Sequence, residues 1–457
     1  MAGFGSRDSL GLSSSAVKSL RMYFRANWSS SLVLGVLIGS GSVEVSLLGT
    51  DAEIRQDPVG TAKSLTLDAA VRMALDNNPG LRAVGGEIGA ARGRAIQARS
   101  WPNPELELAA EEWPVNNGRG FSDAKQTLGI SQTLPFPGKK AADRRIGSAG
   151  IRLSESEFAI RQTELVRDVK AAFFQALTAE RSFEVSAQLV EVAESSAVSA
   201  RKKAEAGATT YQEQLRAEVQ REQARMNLTE LGRDVALARQ MLAKLMGLPD
   251  LDGMLFVGAL KETPDTALAE DPTETWLPRH PSAMAARANL DRARLEHQRA
   301  RMEPYPDVRL GVAGGRLGDT DQSIIELRLG IPLPILDTSK GRREEALAEV
   351  GIAEAEEHAV IQQLRHEWVN GRKRHQAAAE QVARYQQSLL PKVEEALRLV
   401  RIGFEEGKYE FIDLLDTQRT TAEARLDYQH RLLELNLAEA ELEALLRPQS
   451  LPTTDNH

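Results

Sequence analysis

From Leu65 to Ser100 the apolar residues Leu67, Ala70, Val71, Ala74 and Leu75 recur at three- and four-residue intervals. Thr66 opens the run and Asp68 follows in the first turn, so the pattern predicts one helix of about 36 residues. The prolines of Trp101-Pro102-Asn103-Pro104 end it, because proline has no N–H to continue the ladder. The period then changes. Leu106, Leu108 and Ala110 alternate with Glu105, Glu107, Ala109 and Glu111, a strand with one apolar and one acidic face. After a Gly/Asn loop at 116–120, Leu128 and Ile130 alternate with Thr127, Gly129 and Ser131, which makes a hairpin.

Beyond Phe136-Pro137-Gly138, helical spacing continues for about 65 residues to Gly207, with Leu165, Val169, Phe173, Ala176 and Leu177 along one seam. At 1.5 Å per residue this is a rod of roughly 100 Å. A further helix of about 39 residues follows Gly207. The two shorter helices sum to the length of the long one, so they are expected to stack end to end beside it.

The same order then repeats. Pro79 aligns with Pro281, Pro104 with Pro306, Gly207 with Gly407, and Glu213 with Asp413, so the chain holds two copies of a unit of about 200 residues. The first copy spans residues 65–250 and the second 277–447, with a Pro/Asp/Thr-rich connector at 251–276 and a tail at 448–457. In the second copy Val308, Leu310 and Val312, then Ile325, Leu327, Leu329 and Ile331, give another hairpin. All four strands read as about nine or ten residues, the span of a tilted strand through a hydrocarbon core. Four amphipathic strands leave open edges, and backbone groups in lipid must be paired, so closure needs several chains. Three copies give twelve strands, continued by a helical tube. The alternative is a soluble helical scaffold carrying two hairpins.

Composition fits extended helices more than compact domains: only 5% of the 457 residues are aromatic, while 27% are charged. The net charge of −8 argues against a phosphate-binding surface, so nucleic acid is not expected as a partner. With no cysteine, disulfides, thiolate metal sites and a lipidated N-terminal cysteine are excluded. Residues 1–50 stand apart: Lys18, Arg21 and Arg25 precede an apolar run, Leu32 to Ile38, then small residues. This reads as a secretory signal followed by an extended segment at 51–64, the alternatives being a disordered leader or a misplaced start, for which Met22 is the tidier position. No later stretch matches a membrane-spanning helix, so a membrane role falls to the strands.

Leu65 to Ala83, Gln132 to Arg145 and the turns around Gly207 and Gly407 resemble the TolC outer-membrane efflux family, over essentially all of residues 64–447. Gln132 to Lys140 is most similar to its heavy-metal branch, the CzcC- and CusC-like proteins. The resemblance implies a mainly α fold: a trimeric α-helical barrel continuous with a 12-stranded β-barrel, four strands per protomer. It also implies a homotrimer in outer-membrane lipid, working with a periplasmic adaptor and an inner-membrane RND pump. The expected cargo is heavy-metal cations, with drugs, organic solutes or secreted protein as rivals.

In relatives the acidic residues just after the second glycine narrow the entrance. Here these are Asp413 and Asp416, three apart on one helix face, which in a trimer would form two stacked rings favouring cations. Their other reading is a solvated helix surface. The first copy has Glu213 and Arg216 instead, with Arg216 a candidate ion-pair partner. Gly207 and Gly407 are turn formers, and Ala208, Thr209, Lys408 and Tyr409 beside them are the expected adaptor contacts. Relatives often carry a basic residue where Tyr409 stands. His358, His366 and His375 are eight and nine apart, which does not stack ligands on one helix, so they read as solvated surface. No metal site and no cofactor is expected. Trp101, Trp113 and Tyr305 border the strands as a candidate aromatic belt. No phosphate loop, nucleophile elbow or metalloprotease motif is present, so the chain reads as a passive duct and not an enzyme.

Overall fold

The computed structural model describes residues 63–112, 124–268, 276–318, 320 and 322–446. The leader, the loop at 116–120, Trp113 and the tail lie outside these residues.

The helix expected over Leu65 to Ser100 is divided. A short strand β1 (Lys63–Leu65) comes first, then α1 (Leu67–Asn77) and α2 (Pro79–Arg99). Thr66 caps α1, accepting from the Ala69 N–H at 3.3 Å. The break comes at Asn78-Pro79. Pro79 has no N–H to give, while the Asn78 side chain accepts from the Leu81 N–H at 2.9 Å and starts a new helix. That same side chain donates to the Leu245 carbonyl at 2.9 Å, so the α1–α2 joint abuts the end of α4 (Tyr211–Met246). Gly247 ends α4 at φ +70°, and a Cβ there would lie 2.6 Å from the Asn77 carbonyl oxygen. The end-to-end stacking expected from helix lengths therefore has a physical joint.

The long rod is α3 (Lys139–Glu205), 67 residues without a break, or ~100 Å. Its seam residues Leu165, Val169, Phe173, Ala176 and Leu177 are all buried. Leu165, Val169, Phe173 and Leu177 join Leu65, Val71, Leu242, Met246 and Leu435 in the largest apolar core, where α1, α3, α4 and α8 (Phe411–Leu446) meet. Towards Gly207 the buried positions become small, as at Ala193, Ala197 and Ala200, which lets neighbouring rods approach closely.

The second copy departs from the first along its long helix. After α5 (Pro281–Ala300), α6 (Lys340–Arg384) passes through a π-turn at Tyr385–Leu389 into α7 (Leu390–Glu405). Pro391 follows the wide turn, which accommodates a residue unable to donate in the ladder. Tyr385 stacks on Tyr428 of α8 beside it, centroids 6.3 Å apart.

The strands β2 (Glu105–Glu111), β3 (Lys125–Leu134), β5 (Val308–Leu317) and β6 (Gln322–Gly330) form one antiparallel sheet in the order β2-β3-β5-β6. β2 has seven residues, shorter than expected, and β6 stops before Ile331. The central pair β3–β5 joins the two copies, with Ile130 opposite Val312. The helices α2, α3, α5 and α6 pack side by side in the matching order. Within the connector, β4 (Met254–Phe256) pairs in parallel with β1.

Candidate functional site

The sheet separates its residues by chemistry. One face carries the row Leu106–Ile130–Val312–Leu327 and, beside it, Leu108–Leu128–Gly314–Ile325. These apolar side chains are largely exposed. The opposite face carries Glu107, Lys125, Ser131, Glu326 and Arg328. Lys125 pairs with Glu326 at 2.5 Å and with Glu111 at 3.1 Å, and Arg328 pairs with Glu326 at 2.9 Å. An apolar face with no partner among the described residues, backed by an ion-paired polar face, is the division a lipid-facing barrel wall requires. Trp101 and Tyr305 lie half-exposed or more at the helix-side border, and Tyr305 stacks on Phe136 with centroids 4.7 Å apart.

The far end of the rods carries two turns of one design. At the first, the Gly207 N–H donates to the Ala204 carbonyl at 3.0 Å and the Ala208 N–H to Lys203 at 2.8 Å. At the second, Gly407 donates to Phe404 at 3.1 Å and Lys408 to Gly403 at 2.7 Å. Both are Schellman closures, and the φ values of +71° and +73° explain why glycine stands at each. Thr210 then caps α4, its side chain accepting from the Glu213 N–H at 3.3 Å, while the Glu213 carboxylate accepts from the Thr209 hydroxyl. In the second copy the Asp413 carboxylate accepts from the Glu410 N–H at 3.1 Å, the returning half of a capping box.

Asp413 and Asp416 are both exposed at the start of α8. Asp416 pairs with Arg419 one turn on, at 2.8 Å, and this bond raises the Arg419 pKa. Sequence reasoning did not count Arg419, although its spacing from Asp416 made the pair available. Arg216 is exposed and has no ion pair within the chain among the described residues. Ala208 is exposed, Thr209 partly so, and Lys408 pairs with Glu406 at 2.6 Å. Tyr409 lays its ring over Gly403, where a side chain would overlap it. The two turns touch: Lys203 of the first sits 4.1 Å from the Phe404 ring centre of the second, and Phe411 packs on Ala197, Ala200 and Ala217.

One histidine was misread. His358 and His366 are exposed, but His375 is buried, its Nε2 3.5 Å from Glu439. Glu439 is buried too. Burial pushes its carboxyl up, but His375, Lys261 at 2.9 Å and the Asp265 N–H at 2.7 Å prevail and hold it at about 2. Asn436, one turn earlier, accepts from the Lys261 N–H at 3.0 Å and donates to its carbonyl at 3.1 Å. Together they strap the connector to α8. Two polar residues three apart inside the apolar run of α8 were the available signal. His280 caps α5 as Asn78 caps α2, accepting from the Ser282 N–H at 3.2 Å, and burial pushes it down to about 4. No cluster of side chains able to hold a metal occurs among the described residues, nor any helix long and apolar enough to cross a membrane.

A duplicated chain that ends in an amphipathic sheet and sends paired rods away from it defines a channel-wall protein. The chain belongs to the outer membrane efflux protein family, whose model matches residues 70–248 and 274–446. It is 26% identical over 400 residues to the cobalt-zinc-cadmium resistance protein CzcC of Cupriavidus metallidurans, covering 87% of this chain and 94% of that protein. Among solved structures it resembles a membrane protein from Pseudomonas aeruginosa, with TM-score 0.72 and 22% identity over 83% of this chain and 93% of that one. It also resembles CusC, with TM-score 0.71 and 17% identity over 83% and 91%. The fold is that of the TolC-type channels.

Proposed function

We propose that this outer-membrane efflux protein is the exit duct for heavy-metal cations, working as a homotrimer in outer-membrane lipid. The observation that carries the cargo is the likeness along nearly the whole length of a cobalt-zinc-cadmium resistance protein. In this reading three four-stranded sheets close a 12-stranded barrel, with the apolar rows towards lipid and the ion-paired face towards the lumen. The rods continue it as a helical tube reaching into the periplasm.

Asp413 and Asp416 from three copies ring the far opening and favour cations there. Glu213 and Arg216 lie on the matching turn of α4, and Arg216, without an ion pair among the described residues, is available to a neighbouring copy. Ala208, Thr209, Lys408 and Tyr409 meet a periplasmic adaptor, which couples the duct to an RND-class pump that supplies the energy. The duct transforms nothing and holds no resident metal, because a tight ligand would slow release.

The test is growth of a strain lacking only this protein across graded zinc, cadmium, cobalt, copper and silver, beside dyes and detergents. Sensitivity to some metals, rescued by the wild-type gene, is the expected result. Sensitivity to organic compounds alone would remove the metal assignment and leave the duct.

A further inference from the structure

The internal duplication makes one contact inside the chain a template for a contact between chains. Gly138 and Ser339 both precede the long helices in the left-handed region, at φ 98° and 52°, so β3 maps onto β6 with an offset of 201. The hairpins agree: Leu108 faces Leu128 in the first and Leu310 faces Leu329 in the second, offsets of 202 and 201. On this mapping Ile130 corresponds to Ile331 and Gln132 to Leu333.

β3 has two neighbours, whereas β6 has one. Ile130 and Gln132 pair with Val312 and Leu310 of β5, but their counterparts Ile331 and Leu333 have no strand partner among the described residues, the Leu333 carbonyl instead accepting from the Ile335 N–H at 2.9 Å, and β6 ends at Gly330. The apolar alternation nevertheless runs on, from Ile325, Leu327 and Leu329 through Ile331 to Leu333, which is 71% exposed. Pro332 and Pro334 interrupt it, and pairing would exchange the local Ile335–Leu333 bond for one to the neighbour. Consecutive strand residues send their N–H groups to opposite edges, so both prolines withdraw donors from the same edge and leave Ile331 and Leu333 able to serve the other. The facing edge is open as well: Leu106 and Leu108 of β2 are 72% and 80% exposed, against 54% and 50% for Leu128 and Ile130 in the sheet interior.

We propose that Ile331–Leu333 is a continuation of β6 that forms only against β2 of a second copy of this chain, with Leu333 opposite Leu108 and Ile331 opposite Ala110. This register is the β3–β5 joint carried over by the repeat, since Leu310 and Val312 correspond to Leu108 and Ala110. The inference rests on the proposed barrel of several copies. It adds the strand that seals the joint and the residues that meet there. Unpaired backbone at this level in lipid is costly, so the segment orders as the copies close.

The chain has no cysteine, which gives a clean test. L108C and L333C are placed together in the full-length protein, assembled in outer membranes and treated with a short thiol cross-linker. Dimer and trimer bands are expected from this pair, and at least tenfold less from L108C with L329C, which shifts the register by four residues. Stronger cross-linking by the shifted pair overturns the strand extension. A protein that is trimeric by light scattering in detergent yet cross-links through neither pair also overturns it, and would place Leu333 in lipid while leaving the barrel standing. A monomeric protein overturns both. Amide exchange at Leu333 reads the same contact without substitution: protection in the assembled channel is expected, and exchange as fast as in the dissociated chain contradicts it.

Discussion

Arg328 on the edge strand β6 reaches across the entire polar face of the sheet to Glu107 on the opposite edge strand β2, closing at 2.7 Å. The span is possible because the strands between present small residues: Gly129, Ser131, Gly311 and Ala313. A Cβ at Gly129 would lie 2.8 Å from that of Ala313, closer than real Cβ atoms approach.

Sterics and charge can be separated here. Both members of the Arg328–Glu107 pair are solvent-accessible, and exposed pairs contribute little, so R328Q should leave the heat-modifiable band of the assembled protein close to wild type. G129V puts a branched side chain into the 2.8 Å gap and should sharply reduce assembly. Equal behaviour of the two variants in semi-native electrophoresis would contradict this reading of the sheet.

At the second turn, Gly403 is kept by Tyr409. G403A should displace the ring and speed proteolysis near residue 409. In a Y409A background the same substitution should be stabilising by up to about 1 kcal/mol, because alanine is the better helix former. A destabilising G403A in both backgrounds would show that the glycine serves something else.

His280 and Glu439 stand far from their ordinary values, and their windows differ. Burial holds His280 neutral down to about 4 in the fold against an ordinary value of 6.5, so the unfolded chain takes up the proton first. Stability is therefore full above pH 6.5 and falls as pH drops towards 4, by up to about 3 kcal/mol. H280N, which copies the cap at Asn78, should flatten the urea-midpoint profile in that window. Glu439, held at about 2 against 4.5, gives stability that is full above 4.5 and is lost as pH falls towards 2. E439Q should shrink that lower step and leave the upper one unchanged.

Much of this was legible because it is local. Thr66, Gly207 and Gly407 end or begin helices through bonds to residues three to five positions away, and the seam from Leu165 to Leu177 declares its buried face by period alone. The Asn78-Pro79 break is hidden by an apolar period that runs through it, although Pro79 occupies the first position of α2. His375 and Glu439 lie on helices far apart in sequence and meet the connector only in the folded chain. The β3–β5 joint was invisible for the same reason, since no turn links those strands. The pairing of Asp416 with Arg419 is within reach of spacing rules, since the two stand three apart on one helix face.

The proposed duct favours cations through rings of Asp413 and Asp416, and planar-bilayer recording tests it most directly. Purified wild-type protein should insert as discrete channels with a cation-selective reversal potential in a salt gradient. D413N with D416N should weaken that selectivity severalfold while leaving insertion unchanged. Channels whose selectivity does not move with the double substitution would contradict the gate, and a protein that never conducts would contradict the duct itself.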